Sequence, residues 1–315
     1  MTALRGYVMF VVDTTWKHKK DELLDYFRSR IAESLDEIQK IQGTHKYREQ
    51  ATAVNRAIAG IRNTLISALT QTAAREEWYK EDILECVLMV TYVSYVVMIE
   101  TRNEVWPYDY MSFSRRVGEL WELFCKLCFE IPLSDAVLFV PPLFSEVRQK
   151  LTDEVNDYID QLNITQVQKD ELRRYYSKVW SLVTSGEIRL ELDLHFKMGD
   201  EKYVVDFKSG FGSNEKGNTN RLLLVATIYK NLEENFNCLL LVRAEEDKNN
   251  AYFQILKNSG IWKAYCGDEA YARIKEYSGF DIKRWINQNV NWQGDFLPEA
   301  KQHIEKNNLD HYLAW

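Results

Sequence analysis

Proline and glycine are scarce, 5 and 13 of 315 residues. A chain so poor in both has little room for flexible linkers, and with 46% hydrophobic residues it is not a disordered protein. Long apolar runs are scarce too. The longest, Cys86 to Ile99, covers about fourteen residues between Glu85 and Glu100, short of the roughly 20 that span a bilayer. It is expected to be a buried helix, and no membrane association follows. The N-terminal stretch MTALRGYVMFVVDTTW carries Asp13 and no small-residue cleavage pattern, which argues against a secretory signal, so a cytoplasmic protein is expected. Cysteine is limited to five residues, an odd number in apolar contexts, so reduced core thiols are expected rather than a disulfide framework. Cys125 and Cys128 form one CxxC, but a zinc site needs two further ligands at usable spacing. Basic excess is absent as well: 40 Lys and Arg against 47 Asp and Glu leave a net charge of -7. Any nucleic-acid site must therefore be local or assisted by bound metal.

What is present is helical up to about Thr184. Leu23, Leu24, Phe27, Ile31, Leu35 and Ile38 recur at helical spacing, as do Val54, Ile58, Ile61, Leu65 and Leu69. Further helices are expected over 80–102, 112–129, 144–162 and 166–183, broken near Pro107, Pro132, Pro141 and Pro142. At Gly186 the period changes. EIRLELDLHF alternates polar and apolar residues, Gly199-Asp200 supplies a turn, and KYVVDFKS resumes the alternation, which together predict a β-hairpin. Beyond it helix and strand alternate through NTNRLLLVATIYKNLEE, CLLLVRA, NNAYFQILKNSG, IWKAYCG and DEAYARIKEYSG. The fold class expected is a mixed α+β or α/β one, with a mixed sheet following a large helical N-terminal region.

The hairpin holds the chemistry. In a regular strand Glu191 and Asp193 share one face, and so do Asp206 and Lys208 on the next strand. Two carboxylates offer hard oxygen ligands to a divalent cation, and a lysine two residues on can orient water or steady phosphate charge. The plain alternative is a set of solvated charges on an exposed sheet face. Tyr203, Val204, Val205 and Phe207 argue against it, because a charged pair in an apolar run is costly without a partner or metal.

ELDLHFKMGDEKYVVDFKSG resembles the core hairpin of the PD-(D/E)xK nuclease superfamily, in which an acidic residue on one strand precedes a D/E-x-K tripeptide on the next. Asp193 matches the first acidic position, and Asp206, Phe207 and Lys208 match the tripeptide after twelve intervening residues. No proline precedes Asp193, and the tripeptide uses Asp instead of Glu. Within RRVGELWELFCKLCFE, Gly118 and Glu122 resemble the G-x-x-x-E of the family's first core helix, whose Glu serves as an additional acidic group; otherwise Glu122 is an ordinary exposed helical residue. The resemblance implies Mg²⁺ held by Asp193, Asp206 and the Phe207 carbonyl, with catalysis by Asp193, Asp206 and Lys208 and with Glu122 in support. It also implies a helical region over 1–110 for DNA recognition or dimer contacts, a nuclease core over 111–290 with a helical insertion near 131–185, and a C-terminal helical extension over 291–315.

After the tripeptide, Gly210, Gly212 and Gly217 match neither a dinucleotide fingerprint nor a phosphate loop, so no nucleotide cofactor is expected. Ser209, Ser213, Asn214, Lys216, Asn218, Asn220 and Arg221 suit contacts to DNA, and they equally suit a surface loop with a helix cap at Asn218 or Thr219. Arg243 and Lys248 are candidates to line the same edge. Lys17 to Lys20 and the pair Arg115-Arg116 are expected to be solvated surface, with phosphate contact as the other reading. His195 has no Ser or Cys partner nearby and is expected to be structural. Size and resemblance together suggest a type II restriction endonuclease cutting double-stranded DNA as a homodimer. A structure-specific repair or recombination nuclease and an inactive nuclease-like interaction protein are the alternatives.

Overall fold

Leu23, Leu24, Phe27, Ile31 and Ile38 form the buried face of α1 (Lys20–Gln39), and the second stripe that of α2 (Lys46–Glu76). Between them and α4 (Tyr110–Glu130) runs α3 (Lys80–Val105). Among the described residues α3 alone is long and apolar enough to cross a membrane by length and composition. It is instead the axis of the helical layer: residues 86–102 are buried without interruption, as a helix that is apolar all round requires. The computed structural model describes residues 12–183, 188–232 and 235–315.

The chain then forms a two-residue strand, β1 (Val137–Leu138), and the helical pair α5 (Phe144–Gln161) and α6 (Gln166–Val183). The hairpin β2 (Leu194–Met198) and β3 (Glu201–Lys208) follows, then α7 (Lys216–Lys230), β4 (Phe236–Val242), α8 (Ala251–Lys257), β5 (Trp262–Cys266) and α9 (Gly267–Ser278). Three short α-helices follow, α10 (Ile282–Asn289), α11 (Trp292–Asp295) and α12 (Pro298–Lys306), and a 3-10 turn at Asp310–Leu313 ends the fold. The strands lie side by side in chain order, β1 to β3 antiparallel and β3 to β5 parallel. The protein is thus a mixed α+β fold with one five-stranded sheet.

Two elements differ from expectation. β1 falls inside the stretch expected to be a helical insertion; it is too short to show alternation, and it pairs Leu138 with Phe196 across β2. The first hairpin strand is shorter than EIRLELDLHF. Gly186 and Glu187 lie outside the described residues, 188–192 are irregular, and Asp193 is a bend. Leu190 and Leu192 pack on one side of the sheet and Leu194 and Phe196 on the other. The alternation therefore breaks at Asp193, and Glu191 does not share a strand face with it.

Helices cover both faces of the sheet. One face carries Leu194, Phe196, Val205, Phe207, Leu239 and Leu241 into a core shared with α1 to α4 and α9 to α12. The other turns Val204, Cys238, Leu240 and Val242 toward α7 and α8. The C-terminal helices are tied to the N-terminal ones by buried charge: Asp295 accepts from Tyr92 Oη at 2.6 Å and from Lys20 Nζ at 3.0 Å. Nearby Arg28 bonds Glu100, whose other contact is the Leu297 N–H at 2.8 Å. Lys17 pairs with Asp82 at 2.6 Å and Glu85 at 2.8 Å. The lysine run at 17–20 is therefore partly a structural clamp and not a phosphate track. The α5–α6 pair is different: Leu172, Tyr175 and Val179 form an exposed stripe on α6.

Asp295→Ala leaves the Lys20 ammonium and the Tyr92 hydroxyl without their buried partner, and about 3 kcal/mol of stability should be lost in urea unfolding. All five cysteines are thiols and only Cys266 is not buried. A thiol reagent should label at most Cys266 in the native protein and all five in denaturant; rapid labelling of Cys125 or Cys128 would contradict this packing.

Candidate active site

Phe207 sets the geometry. Its ring is fully buried and meets Trp121 of α4 edge-on at 6.0 Å, and the Trp121 indole donates to Tyr271 Oη at 2.9 Å. Side chains alternate along a strand, so anchoring Phe207 in the α4 layer turns Asp206 and Lys208 to the opposite face. β2 pairs with β3 only as far as Leu194 opposite Val205. Asp206 lies one residue beyond, where the edge of β3 opens. There the Phe207 N–H has no strand partner and donates instead to Asp193 Oδ2 at 2.8 Å. A side chain at the bend replaces the missing backbone acceptor, which fixes the Asp193 carboxylate beside Asp206. The Phe207 carbonyl faces the same edge as its N–H, and Lys208 Nζ donates to it at 3.2 Å.

Asp206 is 1% exposed. Lys208 Nζ stands 2.6 Å from Oδ2 and Arg221 Nη2 3.5 Å from Oδ1. The Lys208 contact is a close ion pair without hydrogen-bond alignment, so Oδ2 is buried with no aligned donor. Burial pushes the Asp206 carboxyl up to about 6, and nearby Asp193 adds to this against the pull of Lys208 and Arg221. For Lys208, burial works to lower the ammonium pKa, but Asp206 and more weakly Asp193 and Glu122 hold it above the usual lysine value.

Two residues of α4 complete the cluster. Asp109 caps this helix by accepting the Ser112 N–H at 2.8 Å. Phe113, Val117, Leu120, Trp121 and Phe124 fill the core, which leaves Glu122 and Lys126 on the flank. Glu122 Oε1 lies 2.7 Å from Lys126 Nζ, which is in turn 3.6 Å from Asp193 Oδ1. At Gly118 α4 passes close to the residue after β3: a Cβ there would meet Ser209 Oγ at 3.1 Å. Lys126 was not singled out by the sequence; its one signal is helical spacing, a turn after Glu122. A groove of about 810 Å³ opens beside Asp193, lined on one side by Lys126, Arg189, Glu191 and Leu192 and on the other by Gly217, Asn220, Arg221 and Leu224 of α7.

The candidate DNA-contacting residues divide. Asn220 and Arg221 line the groove. Asn218 holds the Arg221 guanidinium at 3.3 Å, and Lys216 is exposed at the start of α7. The cap expected at Asn218 or Thr219 is not there, because α7 begins at Lys216 after Glu215. Ser209 packs on Gly118. Asn214 accepts from Tyr252 Oη at 2.8 Å, and the Ser213 carbonyl accepts from Asn250 at 2.7 Å, so these two residues brace the loop against α8. Lys248 is exposed on the turn at 246–248 after β4. Arg243 does not line the groove: its guanidinium is 5.5 Å from the Trp315 ring, Nη1 is buried without a partner, and burial lowers its pKa to about 10. The strand that ends at Val242 turns this side chain into the α4 and α9 layer. Arg115 and Arg116 both pair with Glu119.

His195 is 6% exposed, between Phe139 and Tyr229, with its Nε2 3.4 Å from the Leu192 N–H. It serves the packing beneath the site. Comparison with protein-family models, with curated proteins and with solved structures returns no match.

Among the described residues no three His, Cys, Asp or Glu side chains gather as a closed metal cage. The donor set at the β3 edge is two carboxylates and a backbone carbonyl. Such a set fits a hard cation that retains several waters, and the buried, unaligned Oδ2 of Asp206 is the atom such a cation would satisfy.

Acid titration should separate two buried groups. Burial lowers the His195 pKa from 6.5 to about 4, so its contribution is complete above about pH 6.5 and is lost as pH falls through about 4. Asp206, raised from 3.8 to about 6, has the opposite sign: its contribution is fullest below about 3.8 and is lost as pH rises through about 6. His195→Gln should remove only the first effect, so the variant should lose about 3 kcal/mol less than the unaltered protein between pH 7 and pH 4. Urea unfolding at both pH values without divalent ion checks this, and parallel losses would refute it.

Proposed function

We propose that the protein is a Mg²⁺-dependent endonuclease with a PD-(D/E)xK core, hydrolysing phosphodiester bonds in double-stranded DNA. The observation that carries this reading is the convergence of Asp193, Asp206, the Phe207 carbonyl and Lys208 at the open end of β3. The order of elements supports it. A helix bearing Gly118 and Glu122 precedes the hairpin, and a helix and a parallel strand follow, with α5 and α6 inserted between β1 and β2.

In this reading Asp193, Asp206 and the Phe207 carbonyl hold Mg²⁺, which when bound supplies Lewis-acid stabilisation and a more acidic water. Lys208, already charged and close to both carboxylates, orients the attacking water and meets the charge that builds on phosphate. Arg221 faces the groove while touching Asp206, so it couples the phosphate path to the centre. Lys126, Arg189 and Arg221 around one groove supply the local positive charge that an acidic chain needs to hold a polyanion. Within the nuclease class we assign it to the type II restriction endonucleases. A chain with one such centre cuts both strands of a palindromic site as a two-fold dimer.

The test is incubation of the purified protein with mixed-sequence plasmid and Mg²⁺, followed by sequencing of the fragment ends. Ends that share a motif support restriction, a smear replaces it with a structure-guided nuclease, and intact plasmid overturns the nuclease reading. Asp193→Ala, Asp206→Ala and Lys208→Ala should each remain folded and lose at least roughly 10² to 10³ in cleavage rate. A folded variant with full activity removes that residue from the centre.

A further inference from the structure

The carboxylate of Asp193 is engaged at both oxygens. Oδ2 accepts the Phe207 N–H at 2.8 Å, so Oδ1 is the oxygen left to receive a cation. Lys126 Nζ stands 3.6 Å from that Oδ1. The same ammonium is 2.7 Å from Glu122 Oε1, and a Glu one turn before a Lys on a helix is a favourable pairing in its own right. Lys126 therefore has a second carboxylate to hold it when Asp193 is occupied. Its side chain is 26% exposed and lines the groove, with Arg221 and Asn220 contributed by the other wall. Burial works against its charge, but Glu122 and Asp193 more than offset that, so it is an ammonium throughout the neutral range.

A divalent ion on Oδ1 and an ammonium 3.6 Å from the same oxygen repel each other. On the nuclease reading given above, we propose that Lys126 is a phosphate-binding residue whose ammonium balances the charge of Asp193 from 3.6 Å until a divalent ion binds there. Before the ion binds, Lys126 neutralises Asp193. Once the ion takes Oδ1, Lys126 stays on Glu122 and presents its ammonium to a phosphate of the DNA in the groove. The consequence is a coupling: divalent ion alone binds weakly because it meets the repulsion of a nearby ammonium, and DNA strengthens ion binding because its phosphate screens that ammonium. Linkage makes the effect reciprocal.

The experiment compares the full chain with Lys126→Met and Lys126→Arg, using Ca²⁺ as the probe, in calorimetry without DNA and in fluorescence anisotropy with a mixed-sequence duplex across salt concentrations. Lys126→Met should bind Ca²⁺ alone roughly fivefold more tightly. It should bind duplex in Ca²⁺ more weakly, with a salt slope flatter by about one. Lys126→Arg should keep the duplex affinity and the salt slope. Equal or weaker Ca²⁺ binding by a folded Lys126→Met overturns the role of Lys126 alone. If Lys126→Met does not fold, loss of duplex binding by Lys126→Arg overturns it instead. If the unaltered protein takes up no Ca²⁺ with or without duplex, the nuclease reading falls and takes this role with it.

Discussion

The site depends on where β3 puts three consecutive residues. Phe207 is drawn into the core against Trp121, and strand geometry then obliges Asp206 and Lys208 to occupy the other face. Asp206 is buried there with its charge only partly met. An ion pair in such a place gains Coulomb energy but forfeits the hydration of both partners, and the balance is close to neutral unless every lone pair is satisfied. The unaligned Oδ2 means that it is not. Burial raises the Asp206 carboxyl to about 6 while Asp206 keeps the Lys208 ammonium above the usual lysine value. Early termination of β2 matters as much, because it leaves the Phe207 N–H and carbonyl facing an open edge that a longer strand would have closed.

Charge elsewhere in the chain is spent on architecture. Lys17, Lys20 and Arg28 bind the N-terminal helices to α3 and to the C-terminal segment. Arg243 is interior, stacked near Trp315. The basic residues that line the groove beside the carboxylates, Lys126, Arg189 and Arg221, come from three separate segments. The same groove also carries Glu191 and Asp193, and the field in a cleft depends on its nearest few charges and low-dielectric walls more than on the net sum of the chain.

Much of this was legible in the chain itself. Apolar periods of three to four located α1 and α2, an unbroken apolar run located α3, helical stretches set off by prolines gave α4 to α6, and the change to a period of two located the hairpin. The D-F-K tripeptide marked β3, because charges interrupting an apolar strand signal a site or an error. β1 left no trace, since two residues cannot show a period, and the bend at Asp193 was hidden within an alternation that continues in composition although the backbone departs from it.

Sequence alone thus determined the helical layer, the hairpin and the identity of the acidic pair with its lysine, all of which follow from local periodicity and residue chemistry. Tertiary structure decided what those residues face. That Glu122 reaches Asp193 through Lys126, that Arg221 touches Asp206, and that Arg243 turns inward are outcomes of how α4, α7 and β4 pack on the sheet. These contacts join residues as far apart as Glu122 and Asp193, or Arg243 and Trp315, and no local repeat records them. Only the packing of buried aromatic and aliphatic side chains sets the distance between two helices, and with it which charges meet.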